Sequence, residues 1–297
     1  MDDHAVAVGL VGAGPWADMM HAPMLAAGPE TRLAGVWARR PEAAEALAAK
    51  HGAPAFTKYE ALLDACEAVA FAVPPDVQAT MAAQAARAGK ALLLDKPIGL
   101  TRTEAERLTA AVDDAEVVSQ LVLSNRYRPG VRAFLAEAAG FRTAGAQARQ
   151  VGSVLEGPFT KTWRLEEGVL PDVGPHALDL LDAAVGPIED LTAVGDPAGW
   201  VALTCRHANG TTSQLALSAA VPRRGAGRYE SFDLFGPDGS LCLDFGTLDP
   251  ADGEARWATL RAEFAAAVRA GESHQLDVHR GLYLQRLIER ALHGLGR

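Results

Sequence analysis

Residues 6–17 constrain the fold of this chain more than any other stretch: the apolar run Val6 to Val11 ends in Gly12-Ala13-Gly14-Pro15-Trp16-Ala17. A strand followed by Gly-x-Gly-x-x-Ala predicts a tight turn into a helix. Two glycines let the backbone turn and approach a pyrophosphate, and the small Ala17 lets the helix pack close to the strand. Pro15 suits a first helical position, and the helix start offers free N–H groups and a positive dipole end to phosphate. Pro23 should break or kink this helix near Met20 to Ala22.

The alternation continues. A second strand spans Leu33 to Trp37, and further strands are expected at Ala68 to Val73, Ala91 to Leu94 and Val117 to Leu123. Helices at Pro41 to His51, Tyr59 to Ala65, Val77 to Ala88 and Thr101 to Asp113 lie among them, with Gly52 and Gly89 as stops and Thr101 and Glu104 spaced as a capping box. Strands and helices in this order specify a doubly wound parallel sheet.

After Ser124 the pattern changes. A helix from Pro129 to Ala139 precedes alternating runs at Ala146 to Leu155, Trp200 to His207, Thr211 to Ala220, Tyr229 to Phe235 and Ser240 to Phe245. Asn209-Gly210 and Asp238-Gly239 fall between such runs and predict antiparallel hairpins. Two helices, about Glu254 to Ala270 and Val278 to His293, close the chain. The expected class is α/β: an N-terminal Rossmann-type parallel sheet in residues 1–123, then an α+β domain with a mainly antiparallel sheet in 124–297. The C-terminal helix, about 278–293, is expected to pack back on the first domain.

A length of 297 residues suits two such domains, each with its own core. The net charge of −9 argues against a nucleic-acid partner, which would need a basic stripe. Cys66, Cys205 and Cys242 are too few and too scattered for a disulfide framework or a cysteine zinc site, and no metal is expected. No apolar run is long enough to span a bilayer, and Met1-Asp2-Asp3-His4 offers no basic leader, so a cytoplasmic location is expected and no membrane partner.

Chemistry concentrates in two places. Ala91 to Leu94 reads as a strand buried on both faces, and it ends in Asp95-Lys96-Pro97. Ligands of open α/β sheets bind beyond the carboxyl ends of the strands, which puts Lys96 at a crevice; a solvated strand-end cap is the other reading. Further on, Pro175 fits the first turn of a helix with inner face Ala177, Leu178, Leu181, Ala184 and Val185, which sets His176 in that turn, Asp172 upstream and Asp179 one turn along. A histidine near a helix N-terminus is biased toward neutral and able to accept a proton, with a carboxylate to orient it. The same spacing also describes a helix cap and a satisfied core histidine, and spacing alone leaves both open.

Together these pieces resemble the Gfo/Idh/MocA family, the glucose-fructose oxidoreductase and inositol dehydrogenase group of NAD(P)-dependent enzymes. The resemblance covers nearly the whole chain and rests on the Gly12 loop with His21-Ala22-Pro23, Val73-Pro74-Pro75-Asp76, Asp95-Lys96-Pro97, Asn125-Arg126-Tyr127-Arg128-Pro129, and Asp172 to His176 with Asp179. It implies a hydride transfer between the nicotinamide and a sugar, cyclitol or related polyhydroxy carbonyl compound. Lys96, Asp172 and His176 would be catalytic, and Trp163 and Arg164 would join them in binding substrate. Gly12, Gly14, Pro15, Trp16, Ala38, Arg39, Arg40, Val73, Pro74, Pro75, Asp95, Lys96 and Asn125 would hold the cofactor. The resemblance also implies a cis Lys96–Pro97 bond. The open sheet of the second domain has one face toward the active site and an outer face of small and apolar residues that can pair with another subunit, so a homodimer or homotetramer is expected.

Three positions depart from the family pattern. Asp95 replaces a glutamate, the glycine-rich lead-in to Asp172 is reduced to Gly168, and the acid that ends the second strand is missing, with Trp37-Ala38-Arg39-Arg40 in its place. An acid there binds the ribose 2′-hydroxyl of NAD, whereas arginine accommodates a 2′-phosphate, so NADP(H) is expected to be preferred, with NAD(H) possible. Two other functions remain compatible with the sequence: a non-catalytic NAD(P)-binding regulator, and a lyase-type enzyme that uses bound cofactor without net redox change.

Overall fold

The computed structural model describes residues 5–153, 162–222 and 229–296, without the side chains of Thr162 and Arg164. The chain divides into two compact units, Met1–Leu123 with Trp257–Tyr283, and Ser124–Arg256 with Leu284–Arg297.

Six strands build the sheet of the first unit: β1 (Val6–Val11), β2 (Thr31–Trp37), β3 (Ala55–Phe56), β4 (Ala68–Phe71), β5 (Ala91–Leu94) and β6 (Ser119–Leu121). Their order is β3-β2-β1-β4-β5-β6, and every pair is parallel. β1, β4 and β5 are buried at all positions, as strands covered on both faces must be. Leu92, Leu93 and Leu94 are wholly enclosed, and each contributes roughly 1.5–3 kcal/mol to holding β5 in place. The strand order reverses around β1 and β4, so the carboxyl ends of the central strands open on the switch point where ligands bind in such sheets.

The helix after Gly14 is not broken by Pro23. It begins at Pro15, widens into a π-helical turn at Ala17–His21 and continues as α1 (Ala22–Ala26) with Pro23 near its start. A proline ring crowds the carbonyl four residues earlier, and one widened turn relieves that conflict without ending the helix. The remaining helices of this stretch are α2 (Pro41–Lys50), α3 (Tyr59–Asp64), α4 (Pro75–Arg87) and α5 (Arg102–Ala115), and α5 carries the full Thr101–Glu104 capping box.

In the second unit, α6 (Pro129–Ala138) leads to β7 (Gly145–Val151), α7 (Thr162–Glu167) and α8 (Val169–Val185). Strands β8 (Ile188–Gly195), β9 (Val201–His207), β10 (Thr212–Ser218), β11 (Tyr229–Gly236) and β12 (Gly239–Asp244) follow, then α9 (Asp252–Ala270) and α10 (Val278–Gly294). The sheet order is β12-β11-β7-β10-β9-β8, and only the β7–β10 pair is parallel. Both expected hairpins form, with Gly210 and Gly239 at positive φ. β7 ends at Val151, and residues 154 and 155 of the expected run lie outside the described residues. β8 was not anticipated, because the irregular register between Ile188 and Asp190 interrupts its alternation.

The start of α8 corrects the sequence reading. The helix begins at Val169, and Pro175 lies inside it. Gly168 supplies the N-cap with φ +78°, and the Val169 N–H donates to the Pro197 carbonyl at 2.9 Å, so the helix starts where the glycine turns the chain. His176 is therefore two turns into the helix, not in its first turn.

Residues 278–283 of α10 belong to the first unit, and there a Cβ at Gly281 would lie 2.7 Å from Cγ2 of Ile98. Among the described residues no helix is long and apolar enough to cross a membrane, and no cluster of side chains could hold a metal ion.

Candidate active site

In the first unit the glycine loop has two different glycines. Gly12 sits at φ +113°, and an added Cβ would collide with the Ala72 carbonyl oxygen. Its own N–H donates to the Trp37 carbonyl at 2.8 Å, which fixes the turn against β2. At Gly14 an added Cβ would meet nothing within 4 Å. The first glycine thus serves the turn, while the second borders open space that a dinucleotide backbone could approach.

Beyond β2, Ala38 is half-buried and Arg39 and Arg40 are exposed. Neither guanidinium makes a hydrogen bond or ion pair among the described residues. Val73 and Pro74 follow β4, and Pro75 is buried at the start of α4.

Asp95-Lys96-Pro97 follows β5 directly, and the Lys96–Pro97 bond is cis, as the resemblance implies. Asp95 gathers its surroundings. Its Oδ2 accepts the indole N–H of Trp16 at 2.6 Å and lies 3.4 Å from Nε2 of the enclosed His21, while its Oδ1 accepts the Lys96 backbone N–H at 2.8 Å. Burial alone would raise the Asp95 carboxyl, but the hydrogen bond and charge of His21, with Lys96 and its amide, outweigh it and hold the group below its ordinary value. Trp16 also meets the rings of His21 and Trp257 edge-on, at 6.4 and 6.1 Å between centroids.

The backbone of the same turn is held from α4. Gln78 accepts the Asp95 N–H at 2.8 Å and donates to the carbonyls of Asp95 at 2.8 Å and Pro97 at 3.2 Å. Gln78 is not among the site residues expected from the sequence. Its signal was there, since Gln78 is the one polar member of the buried stripe of α4, otherwise Pro75, Ala79, Ala82, Ala83, Ala85 and Ala86.

In the second unit α8 carries Asp172, His176 and Asp179 at spacings of four and three, so they share one face of the helix. Every residue from Val169 to Asp182 is buried except His176. At its position inside the helix the N-terminal dipole argument for a neutral His176 no longer applies, because that effect falls off within the first turn. Asp179 accepts both contacts of Arg126 Nη1, at 3.1 and 3.0 Å, and is itself 1% exposed. This bond ties the segment of Asn125, half-buried in the 3₁₀ turn Ser124–Tyr127, to the helix of His176. Trp163 is half-buried on α7, and the side chain of Arg164 lies outside the described residues.

Residues 6–122 match the profile of an oxidoreductase family with an NAD-binding Rossmann fold, Gfo/Idh/MocA. UDP-N-acetylglucosamine 3-dehydrogenase of Acidithiobacillus ferrooxidans is 31% identical over 221 residues, covering 72% of this chain and 67% of the relative. The chain belongs to the Gfo/Idh/MocA family. It is accordingly an oxidoreductase that uses a nicotinamide cofactor, and the parallel sheet is the family's nucleotide-binding domain. Another family relative, inositol 2-dehydrogenase of Rhizobium meliloti, is 32% identical over 126 residues, 42% of this chain and 38% of that protein. Among solved structures, GenD2 from gentamicin A biosynthesis in complex with NAD superposes with a TM-score of 0.86 at 22% identity, covering 99% of this chain and 95% of that one. Levoglucosan dehydrogenase in complex with NADH and levoglucosan gives a TM-score of 0.85 at 19% identity, covering 99% and 98%. At these identities the structural likeness speaks for the fold.

Proposed function

We propose that this protein is a dehydrogenase that moves a hydride between the nicotinamide of NAD(P) and a carbon bearing a hydroxyl in a sugar, cyclitol or related polyhydroxy compound. The observation that carries the proposal is that α8 is buried from Val169 to Asp182 except at His176, four residues from buried Asp172. A histidine with access to a ligand, on the same helix face as a carboxylate, has the makings of an acid/base. The substrate class is supported by what the relatives act on according to their names: UDP-N-acetylglucosamine and inositol.

When bound, the nicotinamide supplies the hydride acceptor or donor. The loop at Gly12, Gly14, Pro15 and Trp16 would hold its pyrophosphate, and Val73, Pro74, Pro75, Asp95 and Asn125 would line the rest of its site. His176 takes or returns the proton of the reacting hydroxyl, Asp172 orients His176 or binds a neighbouring hydroxyl, and Lys96 donates a hydrogen bond to the same oxygen as negative charge develops there. Trp163 and Arg164 would bind substrate beside them. In this reading residues 1–123 form the cofactor domain and 124–297 the substrate domain.

The preferred cofactor in this reading is NADP(H), supported by two exposed arginines without partners among the described residues and by the lack of an acid at Ala38. A homodimer or homotetramer in the cytoplasm is the proposed working form; Tyr229, Phe235 and Val194 are exposed apolar side chains of the second sheet that a partner copy would cover. The deciding experiment incubates the protein with NAD⁺ or NADP⁺ and a panel of inositols, anhydrosugars, free sugars and UDP-sugars, and follows reduced nicotinamide. Turnover of one class supports the proposal, and absence of turnover across the panel in either direction overturns it.

A further inference from the structure

We infer that Gln78 is a positioning residue for Lys96. This rests on the reading of Lys96 as a group that touches substrate.

Lys96 follows the last residue of β5 by two positions, so where its side chain points depends on the path of residues 95–97. A strand end normally leaves such groups to solvent or to a neighbouring strand. Here one side chain takes three of them. The Gln78 carboxamide accepts the N–H of Asp95 and donates to the carbonyls of Asp95 and Pro97, so it contacts the backbone on both sides of Lys96. The carboxamide is suited to this task because it is neutral and carries a donor and an acceptor on one rigid plane. Gln78 is 1% exposed, so water is not a ready substitute when these bonds are lost. The residue comes from the first turns of α4, whose start is itself packed by buried Pro75.

Two other restraints on the turn act elsewhere. The Asp95 carboxylate holds the Lys96 N–H, and Ile98 is buried next to Gly281. Neither fixes the carbonyls of Asp95 and Pro97. Removal of Gln78 therefore leaves the turn attached to the unit but free to rotate the peptide planes that set the direction of the Lys96 side chain.

The test compares Gln78→Met, which keeps length and loses all three bonds, with Gln78→Glu, which keeps an acceptor for the Asp95 N–H. The full-length protein is labelled briefly with an N-hydroxysuccinimide ester, and mass spectrometry reports modification of Lys96 relative to exposed Lys58. The expected result is a change in that ratio of about threefold or more in both variants, the scale of losing a net hydrogen bond, with NADH affinity unchanged. An unchanged ratio in the folded variants overturns the inference, and should Gln78→Met fail to fold, Gln78→Glu alone decides. On a substrate from the panel above, Gln78→Met should lower kcat in the wild-type background and have no further effect in Lys96→Ala; additive losses would mark a merely structural role and also overturn it. Full turnover by Lys96→Ala together with a changed labelling ratio would reject the catalytic reading of Lys96 and leave the positioning role standing.

Discussion

The indole N–H of Trp16 and the carboxylate of Asp95 meet at 2.6 Å, which ties the helix behind the glycine loop to the turn that carries Lys96. The acceptor is an ionised group held below its ordinary value of 3.8. A carboxyl depressed in the folded chain contributes stability that is fully present above its unfolded pKa and is lost as pH falls through the folded one. The melting temperature of wild type should therefore fall more steeply than that of Asp95→Asn as pH drops below about 4. Trp16→Phe, which keeps an aromatic ring but loses the N–H donor and part of the indole, should cost at least about 1–2 kcal/mol at neutral pH by denaturant titration. Parallel melting curves for wild type and Asp95→Asn through the acid range would rule this account out.

Lys96→Ala and His176→Ala should each lower turnover by about 10² to 10⁴, the scale of a positioned acid or base. Their affinity for NADH should change far less than turnover, because the pyrophosphate is held at Gly12 and Gly14, while Lys96 and His176 would meet only the nicotinamide end and the substrate oxygen. Steady-state rates beside a nicotinamide-fluorescence titration check both halves. Wild-type rates in either variant would remove that residue from the reaction.

The two loop glycines should separate stability from binding. Gly12→Ala places a Cβ at φ +113° and against the Ala72 carbonyl, so it should cost roughly 1–3 kcal/mol and weaken cofactor binding through damage to the turn. Gly14→Ala enters open space, so its stability should change by less than about 1 kcal/mol. Its NADH affinity should nonetheless fall by about tenfold or more, because the methyl occupies the approach of the pyrophosphate. Thermal melts with and without NADH distinguish the cases, and a Gly14→Ala protein that binds NADH normally would put the cofactor somewhere other than over that glycine.

Arg39→Ala should weaken NADP(H) about tenfold and leave NAD(H) unaffected, since a charge-assisted bond to a 2′-phosphate has no counterpart in the unphosphorylated cofactor. Titration calorimetry with both cofactors measures it. Equal losses for the two would indicate that Arg39 contacts a part of the dinucleotide they share.

The parallel sheet was legible because its strands are uniform apolar runs with glycine and proline at their ends, as at Ala91 to Pro97. The hairpins at Gly210 and Gly239 were legible for the same local reason. What escaped depended on partners far apart in sequence. Nothing near Gln78 announces that it holds the backbone around residue 96, and nothing near Asp179 names Arg126. The α8 boundary was misread because Pro175 imitates a first-turn proline, whereas Gly168 at φ +78° and the Pro197 carbonyl start the helix at Val169, six residues earlier. The short strand β3 has only two residues and no alternation to detect.

The parallel pairing of β7 with β10 has a consequence for how the second unit assembles. Antiparallel neighbours such as β11 and β12 can zip from a turn within microseconds, but β7 and β10 are separated by about 60 residues that include α8, β8 and β9. Their ladder requires closure of that long loop, so the β8–β9–β10 meander and the β11–β12 hairpin can each form first and wait for β7 to join them. In this order the middle of the sheet is the last seam to close, and the helix that bears His176, which packs on β7, β9 and β10, gains its contacts with β7 only when that seam does.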